Sequence, residues 1–102
     1  MTILPPRVGS ARWYAQRIAE ACQQRDAYRC AADAIDLVRV ALTADGQDVD
    51  CLTVEVVRLR GMADEFDGEA ADLMSGAAAD GHTPADIDAE RRSAYPLGQP
   101  GR

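Results

Sequence analysis

Between Leu52 and Ala77 the apolar residues Leu52, Val56, Leu59, Ala63, Phe66, Ala70, Leu73 and Ala77 recur at alternating spacings of four and three. A helix turns about 100° per residue, so this spacing gathers all eight on one side and predicts a long amphipathic helix with a continuous packing seam. A strand would need alternation by two, and the alanine-rich stretch to Ala77 has poor strand propensity. A seam of this length requires another apolar surface to cover it, and the rest of the chain is read with that requirement in mind.

The preceding segment supplies one candidate. Ser10 is a suitable helix N-cap after a leader over 1–9 that holds Pro5, Pro6 and Gly9. From there Ala11, Ala15, Ile18 and Cys22 share a face, and after Gln23-Gln24-Arg25-Asp26 the pattern resumes with Tyr28, Ala31, Ile35, Val38 and Leu42. The two stripes are slightly out of phase. Because neither Gly nor Pro occurs between Ser10 and Asp45, one continuous helix over 10–44 is expected in preference to a kink near Arg25.

Ala44-Asp45-Gly46 reads as a helix stop, with Asp48 or Asp50 as the next cap, so the second helix is placed at 49–79. The short connection makes the two helices antiparallel neighbours. Ala79-Asp80-Gly81 repeats the stop, and Thr83-Pro84-Ala85-Asp86 opens a short third helix over 84–95, leaving 96–102 as a tail. The fold class expected is all-α: an antiparallel helical hairpin with a short C-terminal helix, in a single domain over 10–95. A competing pattern exists, because Leu37–Thr43 and Val54–Leu59 are rich in β-branched residues around an Asp-Gly and resemble a β-hairpin. The unbroken four-three spacing favours helices.

The aromatic content is 5% and much of the 47% hydrophobic fraction is alanine, so a chain of 102 residues builds only a thin core. Two packed helices also leave the groove between them open. Both points lead to the expectation that a second copy completes a dimeric four-helix bundle, with the Leu52–Ala77 seam shared between the first helix and the partner chain. Leu52, Val56, Leu59, Phe66 and Leu73 are the interaction residues expected on that seam, with Trp13 and Tyr14 as an aromatic anchor at the start of the first helix.

The net charge of −6 is unevenly distributed. Residues 1–44 carry six Arg against four acids, and nine acids but no Arg lie between Asp64 and Glu90. Such a segment repels phosphate, so neither nucleic acid nor an anionic membrane is expected as its partner. A second reading makes the chain an acidic inhibitor or antitoxin-like protein whose Asp67, Glu69 and Asp72 occupy a basic site on an enzyme or nucleic-acid-binding protein. A DNA-binding regulator using the arginines of the first helix fits the charge least. In an antiparallel hairpin turning at Gly46, Arg25 falls beside Gly68, which brings basic and acidic halves together.

No pattern for catalysis emerges. Nucleophilic chemistry needs a base and an orienting group near the nucleophile, and His82 is the sole histidine. Asp45, Asp48 and Asp50 lack the spacing and the distal Glu of a calcium loop and are better read as caps. Cys22, Cys30 and Cys51 contain no Cys-x-x-Cys. No cofactor, metal or small-molecule substrate is therefore expected. With no window apolar enough to span a bilayer and no basic-apolar leader, the expected location is the cytoplasm.

Overall fold

The computed structural model describes residues 4–94. Within them the chain forms α1 (Ala11–Ala44), α2 (Asp50–Ala79) and α3 (Pro84–Ala94), with no strand among the described residues. The stretches 37–43 and 54–59 lie inside α1 and α2, so the hairpin-strand pattern is overridden by helix. The first three leader residues, Tyr95 and the expected tail over 96–102 lie outside the described residues.

The helix ends are set by local chemistry. The Trp13 amide donates to Ser10 Oγ at 3.1 Å, satisfying a donor that the first turn leaves without a partner. At the next helix, Asp48 Oδ1 accepts from the Asp50 amide at 3.0 Å. At α3, Thr83 and Asp86 form a reciprocal box: the Asp86 amide donates to Thr83 Oγ1 at 3.1 Å, and the Thr83 amide to Asp86 Oδ2 at 2.9 Å. Both stops close as Schellman turns. Gly46 and Gly81 take φ values of 78° and 90°, which lets the Gln47 amide reach Leu42 O and the His82 amide reach Ala77 O, each at 2.9 Å.

The chain divides into two compact units, one made of residues up to Ala21 together with those from Glu69 onward, the other of Cys22–Gly68. In the first unit the start of α1, the end of α2 and α3 bury Tyr14, Ala15, Ile18, Ala21, Ala70, Ala77 and Ile87. Ile87 is the one large side chain here with only 1% exposure, so it fixes α3 to this core.

In the second unit, the later part of α1 and the earlier part of α2 run antiparallel on either side of the Gly46 turn and bury Ala32, Val56, Leu59 and Ala63. The facing residues of α1 differ from the expected stripe. Tyr28, Ile35 and Leu42 are half-buried as anticipated, but Ala31 and Val38 are exposed, and Ala32 and Arg39 occupy the packed side instead. The ion pairs are consistent with this rotation: Arg60 reaches Asp33 at 3.5 Å and Asp36 at 3.7 Å, and Arg39 reaches Asp36 at 2.8 Å. With these carboxylates beside α2, Ala31 and Val38 turn away from it.

Candidate interaction surface

In the first unit, the most closely bonded polar cluster surrounds Tyr14. Its phenol donates to Asp80 Oδ2 at 2.5 Å, Trp13 packs edge-on against it at 4.9 Å, and the His82 ring lies 5.9 Å away. His82 Nε2 is 2.9 Å from Gly9 O, which ties the leader to the end of α2. Arg17 lies over the Trp13 ring at 5.9 Å, within cation–π range. The bond to the Asp80 carboxylate raises the Tyr14 pKa above its ordinary value, aided by burial and by the negative charge. The bond from Tyr14 to Asp80 thus joins the start of α1 to the end of α2 like a latch.

The latch also explains Gly76. A Cβ placed there would stand 3.3 Å from Tyr14 Cε1, so the phenol lies close across the backbone of α2 and would have to give by a few tenths of an ångström to admit an alanine. The other aromatic residue singled out from the sequence, Trp13, is half-buried beside it, and Leu73 is half-buried while Glu69 and Asp72 are exposed.

In the second unit, Val56 and Leu59 are buried against α1, and Leu52 and Phe66 are half-buried, with Phe66 stacked on Tyr28 at 5.7 Å between centroids. Asp67 is bonded to Arg25 at 3.0 Å, as the antiparallel arrangement anticipates for this neighbourhood. Bonds to Asp26 and Asp67 hold the Arg25 guanidinium more firmly protonated than usual. Arg58 and Glu55 pair along α2 at 2.6 Å and 2.9 Å, which lowers the Glu55 pKa and raises that of Arg58. Asp26, Asp33, Asp36, Glu55 and Asp67 are thus paired with arginines inside this unit, while Asp45, Asp48, Asp50, Asp64 and Glu65 add to its negative charge.

Large apolar side chains are also left uncovered. Leu37, Val38 and Val40 on α1, with Val54 and Val57 on α2, are all more than half exposed. All five lie within about three helical turns of Gly46, so they form a belt of large aliphatic side chains near the hairpin tip. From the sequence only Val38 stands out, and there as part of a packing stripe of α1. A signal was present: Leu37–Thr43 and Val54–Leu59 hold more branched aliphatics than one packed helix face can use, and that excess is also what gave them their strand-like character.

Among the described residues no group of three or more His, Cys, Asp or Glu is placed to hold a metal ion, and Cys30 and Cys51 are exposed with free thiols. No described helix is long and apolar enough to cross a membrane. Comparison with protein-family models, curated proteins and solved structures returned no match.

Proposed function

We propose that this chain is a small non-catalytic helical protein that works through protein–protein contact and that its first partner is a second copy of itself. The observation that carries this reading is the belt of Leu37, Val38, Val40, Val54 and Val57 near the tip of the hairpin. Single exposed aliphatics are ordinary, but five large ones within about three turns of one helix-hairpin tip are an excess of uncovered apolar surface, which favours association.

The chemistry of the other groups agrees with a binding role. The Tyr14 phenol is held protonated, the ion pairs are satisfied within the unit that carries them, and both helix stops are capped. A pairing of two hairpins would bury the aliphatic belt and complete a four-helix bundle. Size-exclusion chromatography with light scattering tests this: a dimer of two 11.0 kDa chains at micromolar concentration is the expected result. A chain that stays at 11.0 kDa while keeping full helicity over that range would overturn it.

A further inference from the structure

We draw no further inference here: the strongest candidate, the exposed aliphatic surface of Leu37, Val38, Val40, Val54 and Val57 around the tip of the α1–α2 hairpin, carries nothing beyond the self-association already proposed, because nothing in the structure shows what covers it.

Discussion

Ile87 is the side chain through which α3 belongs to the fold, and Ile87→Ala measures that directly. An 11-residue helix is marginal alone in water, since nucleation costs several fixed dihedrals for its first hydrogen bond. The Thr83–Asp86 box, Asp86 in the first turn and Arg91 and Arg92 in the last favour the helix locally, but each such effect is small. Ile87, at 1% exposure, supplies the tertiary anchor. Replacing it with alanine removes three carbons, about 2.4 kcal/mol at about 0.8 kcal/mol each, and the unfilled space adds a cavity cost. The expected loss is about 3 kcal/mol, or roughly 12–24 °C in melting temperature for a domain of this size. Denaturant unfolding measures the loss, and hydrogen exchange over 84–94 shows whether α3 detaches before the rest. Ala85→Ser, at an exposed position of the same helix, should change neither. A loss below about 1 kcal/mol with unchanged exchange in α3 would refute the anchoring role.

Further outcomes follow from particular positions. Gly61→Ala and Gly68→Ala should each stabilise the chain by up to about 1 kcal/mol, because both sit inside α2 with no atom within 4 Å of an added Cβ, and thermal melts report the gain. Gly76→Ala should lack that benefit, since Tyr14 must shift to admit the methyl, and the melting temperature should fall. Phe66→Asp should lower stability strongly by replacing the ring stacked on Tyr28 with a half-buried carboxylate, seen as a reduced urea midpoint. Two titrations bracket the pH range. Asp86 has a lowered pKa from its bonds to the Thr83 backbone and hydroxyl, so its contribution is present above the ordinary carboxylate range and is lost as pH falls through its folded value; Asp86→Asn should flatten that acid limb in pH-dependent melts. Tyr14 has a raised pKa, so its contribution is intact below about pH 10 and is lost as pH rises through the folded value, and Tyr14→Phe should remove that alkaline loss.

Most of the helical architecture could be read from local patterns. Ser10, Gly46, Gly81 and the Thr83–Asp86 pair act within a few residues of themselves, so the signals that mark a cap or a stop in sequence are the ones that make it in the structure. The seam of α2 was equally legible, because Val56, Leu59, Ala63, Ala70 and Ala77 follow one helical period and are buried. The exposed aliphatic surface was harder to see. Trp13 and Tyr14 were singled out for their size, yet Tyr14 is occupied by Asp80 and lies against Gly76, a pairing 66 residues apart that no local pattern encodes. Leu37 and Val57 were overlooked because an exposed aliphatic in a helix looks in sequence like a buried one.

By itself, then, the sequence determined where helices begin and end and which side of α2 is apolar, since both depend on spacing along one chain segment. The rotation of α1 was decided only by tertiary structure. Its later half offers apolar residues around more than one flank, so the hydrophobic period alone admits Tyr28, Ala31, Ile35, Val38 and Leu42 as a packing stripe. In the structure the small Ala32 is fully buried against α2, and Asp33 and Asp36 lie on the side of Arg60, which is a different rotation. Ala31 and Val38 are thereby turned outward to solvent.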